Sequence, residues 1–189
     1  MQVIETAIPE VKRLIPRRFA DARGYFAETW NARTMREAGL GIEFVQDNQS
    51  CSARAGTVRG LHYQAPPMAQ TKLVRVVRGA IRDVAVDIRR GSPGFGTWVA
   101  AELSAANGVQ LLIPKGFLHG FVTLEPDTEV AYKVDAFYAA DCDGAVRFDD
   151  PDLGIDWGID PAAAILSAKD AAAPRLRDIV SPFVLGAVT

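Results

Sequence analysis

"TKLVRVVRG" at 71–79 runs directly into "AIRDVAVDI" at 80–88. Both runs are rich in β-branched residues and alternate in polarity, a period of two that belongs to strands, and a glycine joint separates them. In the second run Arg82, Val84, Val86 and Ile88 share one face, while Ile81, Asp83, Ala85 and Asp87 share the other. Acids on an inward face are costly unless paired, so one face of this strand is expected to line a wet cavity. Further strand-like runs follow at "GTWVAAEL" (96–103), "GVQLLIP" (108–114), "HGFVTLE" (119–125) and "TEVAYKVDAFY" (128–138), with Gly, Pro, Asn or Asp between them. Short strands at this spacing build a sandwich or a barrel. Two helices are expected. One is "NARTMREAGL" (31–40), with Asn31 as N-cap and Gly39 or Gly41 near its end; the other is a short piece in "AKDAAAPRLRD" (168–178), interrupted by Pro174. The pattern implies an all-β jelly-roll barrel with a few short helices.

The 189 residues suit one domain with a real core, and 158–189 reads as a short helical or irregular C-terminal segment. Hydrophobic residues at 49% and charged residues at 23% are ordinary for a globular protein. A net charge of −2, with Lys and Arg dispersed, argues against a nucleic-acid partner. No apolar run reaches the ~18 residues a membrane span needs, and "MQVIETAIPEVKRL" lacks the apolar core of a signal peptide. Neither a membrane nor export is therefore expected, and the protein is read as cytoplasmic. Cys51 and Cys142 have no CxxC spacing and are read as free thiols rather than a disulfide.

Only two histidines are present, and His62 lies in "RGLHYQ" at 59–64. It can be a hydrogen-bonded core residue, a metal ligand or a base. A metal site wants several ligands at close spacing, but His62 is followed two positions on by the amide Gln64, and His119 is followed by a glycine. No metal is expected. Arg59 lies three residues before His62, and Lys72 opens the next strand; such a gathering of cations is expensive without an anionic ligand. On that reading Arg59 holds phosphate, Lys72 faces a developing oxyanion and His62 moves a proton.

Other stretches admit two readings. In "IPKGFLHGF" (113–121) Gly116 and Phe117 suit a turn and a packed aromatic. "YKVDAFY" (132–138) places Tyr132, Val134, Ala136 and Tyr138 on one strand face, either as packing or as a phenol and a stacking ring for a cavity. "RRFADARGYFAETWN" (17–31) has Asp21 and Gly24 for a turn; its Arg23, Phe26 and Glu28 form a nucleotide grip or an exposed edge. "DDPDLGIDW" (149–157) reads as a loop anchored by Trp157, since its acids lack the order of a calcium loop.

Taken together, these segments resemble the dTDP-4-dehydrorhamnose 3,5-epimerase family of the cupin superfamily, from about residue 3 to 182. The likeness rests on F-x-D-x-R-G-x-F-x-E at 19–28, "FVQDNQS" at 44–50, "RGLHYQ" at 59–64, "QTKLVRVVRGAIRDVAVDIRRGSPGFG" at 70–96, "IPKGFLHGF", "YKVDAFY", "DDPDLGIDW" and "LSAKD" at 166–170. The resemblance implies a jelly-roll homodimer that works without metal or cofactor. Its substrate would be a dTDP-4-keto-6-deoxyhexose, epimerised at C3 and C5. By the same resemblance His62 is the base, Asp170 its orienting partner, Tyr132 the acid on the opposite face, and Lys72 the group that steadies the enolate. Arg59, His119 and Lys169 would contact diphosphate or sugar, and Gln46, Asp47, Asn48 and Asp143 the nucleotide. Arg23, Phe26 and Glu28 belong to the same nucleotide grip, with Arg23 and Glu28 reaching over from a partner whose N-terminal strands are exchanged. Tyr138 would stack on thymine.

The sequence departs from the family's usual residues at Asp143, Phe148 and Asp149, where Glu, Trp and Asn are common. The shorter Asp143 puts a nucleotide contact in question. Relatives acting at C3 alone or C5 alone share most of these motifs. Two rival readings are a sugar-nucleotide-binding jelly roll without catalysis and a metal-dependent cupin oxidoreductase.

Overall fold

The computed structural model describes residues 1–186. In chain order the strands are β1 (Gln2–Glu5), β2 (Lys12–Ile15), β3 (Arg18–Asp21), β4 (Gly24–Ala27), β5 (Gln46–Ser52), β6 (Val58–Gln64) and β7 (Lys72–Arg78). There follow β8 (Ala80–Asp87), β9 (Trp98–Ser104), β10 (Gln110–Ile113), β11 (Phe117–Thr123), β12 (Thr128–Val134) and β13 (Asp143–Ala145). Helix α1 spans Ala32–Glu37 and α2 spans Ala168–Ala171. The runs at 71–79 and 80–88 are strands, and the joint at Gly79 carries the chain from one sheet to the other. β7 lies in a six-stranded sheet ordered β1-β2-β10-β7-β12-β5, and β8 in a five-stranded sheet ordered β13-β6-β11-β8-β9. This is an all-β jelly roll.

Each strand face has a distinct apolar partner. Val74, Val76, Ile81, Ala85, Leu111, Phe121 and Val130 fill the space between the sheets. The outer face of the five-stranded sheet, with Val58, Leu61, Val84, Val86 and Leu118, packs on the C-terminal chain through Phe148, Trp157, Leu176 and Phe183. On the far side, Leu14, Leu73 and Leu112 pack with Met35 of α1. β8 is thus buried on both faces. The inward acids foreseen there are paired: Asp83 with His119, and Asp87 with Arg89 and Ser92.

Helix α1 begins as its sequence predicts, with the Asn31 side chain accepting from the N–H groups of Arg33 and Thr34. The second helix is one turn long, and a separate 3₁₀ turn, Leu176–Asp178, lies beyond Pro174. The 149–157 acids serve the loop itself: buried Asp150 accepts from Asp152 and Leu176 N–H groups, and Trp157 donates to the Phe148 carbonyl at 2.8 Å. Residues 187–189 of the expected C-terminal segment lie outside the described residues.

One expectation needs correction. The strand read as 128–138 ends at Val134, because the Asp135 carboxylate takes the N–H of Thr71 at 2.6 Å and the chain turns. Tyr138 therefore does not share a strand face with Tyr132. The N-terminal strands are paired within their own chain, β1 on β2 and β2 on β10. Among the described residues it is the hairpin β3–β4 that pairs with no other strand, and it exposes Phe19, Tyr25 and Phe26. Among the described residues no helix is long and apolar enough to cross a membrane.

The feature that positions the site is a bulge in β6. His119 faces His62 and Phe121 faces Arg59, so two positions on β11 span three on β6. Alternation breaks at Gly60, φ +125°, where an added Cβ would lie 2.5 Å from the Gly120 Cα. Gly91 also has positive φ, at +83°, but open space around it. Gly91→Ala should therefore cost about 1–2 kcal/mol from backbone strain alone. Gly60→Ala should cost clearly more, because β6 and β11 must also separate. Urea unfolding of the two variants compares them directly.

Candidate active site

Between the sheets lies a cavity of about 420 Å³. Arg59 and His62 of β6 reach it on either side of the bulge, joined by Lys72, His119 and Tyr132 from β7, β11 and β12. Lys169 and Asp170 of α2 close it from the C-terminal side. Seven of the residues singled out in the sequence thus meet in one cavity.

His62 and Asp170 are joined at 2.6 Å between Nε2 and Oδ1. The short helix that carries Asp170 is fixed by Ser167, whose hydroxyl accepts the Asp170 N–H at 3.1 Å. Burial raises the Asp170 carboxyl, but the hydrogen bond and charge of His62, with help from Ser167 and the Gly60 backbone, outweigh it and hold the carboxyl below its ordinary value. A carboxylate accepting at Nε2 leaves the lone pair on Nδ1, which has no partner among the described residues. Asp170 therefore fixes the orientation of the His62 ring.

Tyr132 lines the same cavity. Burial raises its phenol above the ordinary 10.0, Arg59 lowers it, Asp143 adds a further upward push, and the net result is a proton retained at neutral pH. Lys72, half-buried, is pushed down to about 8 by desolvation; Asp143 and Asp83 oppose that, and Lys169 adds to it. Arg59 is braced by the Ser52 hydroxyl at 3.1 Å and the Cys51 carbonyl at 3.0 Å. His119 meets Asp83 at 2.6 Å, both buried, and the second Asp83 oxygen has no partner among the described residues.

A polar rim continues from the cavity. Asp143 accepts from Lys169 and, at 3.4 Å, from the Tyr138 hydroxyl. Gln46 donates to Asn48 at 2.8 Å and accepts the Tyr138 N–H at 3.0 Å. Gln46 and Asn48 lie on the same face of β5 as Ser50, which lines the cavity. Asp47 does not: it projects from the opposite face and pairs with Lys133 at 2.8 Å. Arg23, Phe26 and Glu28 also stand apart from this chain's cavity. Arg23 is paired with Asp21, Glu28 accepts from Asn31, and Phe26 is 69% exposed at the hairpin.

The sequence reading did not assign Phe121 or Asp83 to the site. Asp83 had a signal, an acid on an inward strand face, whereas Phe121 looked like any core aromatic. Among the described residues no group of three or more His, Cys, Asp or Glu could hold a metal ion, and neither Cys51 nor Cys142 forms a disulfide.

The molecule is a jelly roll of the cupin type whose inter-sheet cavity is lined by His62, Tyr132 and Lys72. The chain belongs to the dTDP-4-dehydrorhamnose 3,5-epimerase family, whose model matches residues 5–178. It is similar to the enzyme of that name from Sinorhizobium fredii, 50% identical over 177 residues that cover 94% of this chain and 90% of the relative. Among solved structures it resembles the Bacillus anthracis enzyme with TDP and PPi bound, at 51% identity and TM-score 0.90, covering 93% of this chain and 99% of that one. The Legionella pneumophila enzyme in complex with dTDP-4-keto-L-rhamnose matches at 44% identity and TM-score 0.91, covering 96% and 97%.

The His62–Asp170 contact has a pH signature. Because the folded-state value of Asp170 lies below 3.8, its stabilisation is present above pH 3.8 and is lost as the pH falls through the folded value. Asp170→Asn should cost about 1–3 kcal/mol at pH 7. The gap between wild type and variant should narrow as unfolding is measured at pH values below 3.8.

Proposed function

We propose that this protein epimerises dTDP-4-dehydro-6-deoxy-D-glucose at C3 and C5 to dTDP-4-dehydro-L-rhamnose, a step of deoxysugar biosynthesis. The observation that carries the reading is His62, oriented by Asp170, lining the same cavity as Tyr132 and Lys72. A carbonyl at C4 acidifies the C–H bonds at C3 and C5. His62 takes one of these protons, the bond electrons pass to the C4 oxygen, and the Lys72 ammonium stabilises the enolate. Tyr132 then donates its proton to the opposite face of the same carbon, which inverts the centre and reforms the ketone. Solvent reprotonates the phenol and removes the proton from His62, so the cycle needs no cofactor.

Arg59, His119 and Lys169 supply cations for a diphosphate, and Arg59 has the planar fork that suits phosphate oxygens. Gln46, Asn48, Asp143 and Tyr138 form the rim we assign to the nucleoside. The ligands in the two solved relatives support a dTDP-linked substrate. The single jelly-roll domain acts as a homodimer in which hairpin β3–β4 brings Arg23, Phe26 and Glu28 to the partner's rim; the exposed aromatics of that hairpin support this arrangement. Two free thiols favour a cytoplasmic setting.

Incubation with dTDP-4-keto-6-deoxyglucose in deuterated water tests the chemistry. Wild type should incorporate deuterium at both C3 and C5 with inversion; label at one carbon only would make it a mono-epimerase, and none would make it a binding protein. His62→Asn should abolish both exchange and inversion. Tyr132→Phe should still exchange, because His62 can return a solvent proton to the original face, while inversion falls roughly 10²–10⁴-fold. Inversion by Tyr132→Phe at the wild-type rate would place the acid elsewhere.

The dimer is checked by light scattering together with dTDP titration. Arg23→Ala should weaken dTDP binding while leaving the cavity intact. A monomer with full activity would contradict the arrangement.

A further inference from the structure

The hairpin β3–β4 leaves the barrel from a narrow base. Arg18 and Ala27, which face each other at its open end, are half-buried, whereas the other residues of both strands are exposed. With no other strand beside it among the described residues, the hairpin takes its direction from that base. There the Arg18 guanidinium donates from Nη1 to the Ala106 carbonyl at 2.5 Å and from Nη2 to the Ala105 carbonyl at 2.7 Å. It also lies over the Tyr25 ring, 4.3 Å from the centroid. At the other root of the hairpin, Gln110 of β10 donates to the Thr29 carbonyl at 2.8 Å.

The loop that receives Arg18, between β9 and β10, holds its carbonyls in place. Asn107 accepts the N–H groups of Ser104 and Val109 and donates to the Glu102 carbonyl, while the Ala105 N–H donates to the Gly79 carbonyl. Gly108 completes the seat: at φ +65° a Cβ there would lie 2.6 Å from Arg18 Nη2, in the space the guanidinium takes. A planar fork matched to two carbonyls and laid on a ring fixes an angle that a flexible ammonium could not.

We infer that Arg18 is a positioning residue for the nucleotide end of the site: clamped on its own barrel, it fixes the angle at which hairpin β3–β4 projects, so that Arg23, Phe26 and Glu28 meet the partner's rim already ordered. The inference rests on the reading of that hairpin as the partner's nucleotide grip. Arg23 and Glu28 are held locally, by Asp21 and Asn31. The clamp relates this local set to the rest of the molecule. A hairpin free to swing would have to be ordered each time nucleotide bound, and the clamp removes that cost beforehand.

Two variants open the clamp from opposite sides. Arg18→Met keeps the apolar stem and removes the fork. Gly108→Ala leaves Arg18 in the chain and fills its seat, displacing the end of a flexible side chain rather than backbone. Hydrogen exchange over residues 19–27, read by mass spectrometry on the nucleotide-free protein, reports the clamp; dTDP titration reports the grip. Both variants should speed that exchange and raise the dTDP Kd roughly tenfold. KM should rise with it and kcat change far less, because the cavity residues are untouched. In the double variant the two increases in Kd should not add, since both act through one contact. Either single variant suffices if the other folds poorly. Arg23→Ala separates the inference from the reading beneath it. If Arg23→Ala weakens dTDP binding and neither clamp variant does, the inference is overturned while the reading of the hairpin stands; if none of the three weakens it, both fall. Additive effects in the double variant, or weaker dTDP binding with unchanged exchange over 19–27, also overturn the inference.

Discussion

Everything at the site depends on the bulge at Gly60. A regular strand sends residues three apart to opposite faces. Here Arg59 and His62 both turn inward while Val58 and Leu61 turn outward, because two residues of β11 span three of β6. Backbone meets backbone at that point, which only glycine at 60 and 120 permits. The outward residues matter as much as the inward ones. Val58 and Leu61 belong to the core that Trp157, Leu176 and Phe183 complete, and this core carries the C-terminal chain back across the sheet. That return path brings Asp170 to His62 across 108 residues of sequence. A change at the β6 bulge would therefore displace Arg59, His62 and its contact with Asp170 together.

The electrostatics follow from the same placement. Arg59, Lys72, His119 and Lys169 are gathered beside His62 in a cavity that also contains acids in defined pairings. Asp170 is committed to His62, Asp83 to His119 and Asp143 to Lys169. Burial, more than the nearby Lys169 charge, pushes Lys72 down to about 8, and a ligand bearing negative charge favours its protonated form. Pre-organised cations of this kind also suit a reaction in which charge develops on a carbonyl oxygen.

The strands were legible because their alternation is strong, and the two runs at 71–88 are strands in the structure. Their assignment to different sheets was not legible, since a glycine joint looks the same whether the chain reverses or crosses over. Period two failed where long-range bonds overruled it: Asp135 captures Thr71 and turns the chain before Tyr138 can share the face of Tyr132. It also failed at Gly60, where the bulge depends on a facing glycine 60 residues away. Asp47 illustrates the reverse case. Motif resemblance grouped it with Gln46 and Asn48, although strict alternation in β5 sends it to the other side, where it pairs with Lys133. No local pattern marked Asp170 as the partner of His62; that came from the family likeness alone, because a one-turn helix leaves no periodic signal.

The central claim is that a hexose ring lies between His62 and Tyr132. The direct measurement is a crystal structure of the His62→Asn variant with dTDP-4-keto-6-deoxyglucose bound. The account predicts the sugar inside the cavity, with its C3 and C5 hydrogens turned toward position 62, Tyr132 over the opposite face and the C4 oxygen near Lys72. A sugar lying outside the cavity, or one with position 62 and Tyr132 on the same face of the ring, would contradict it.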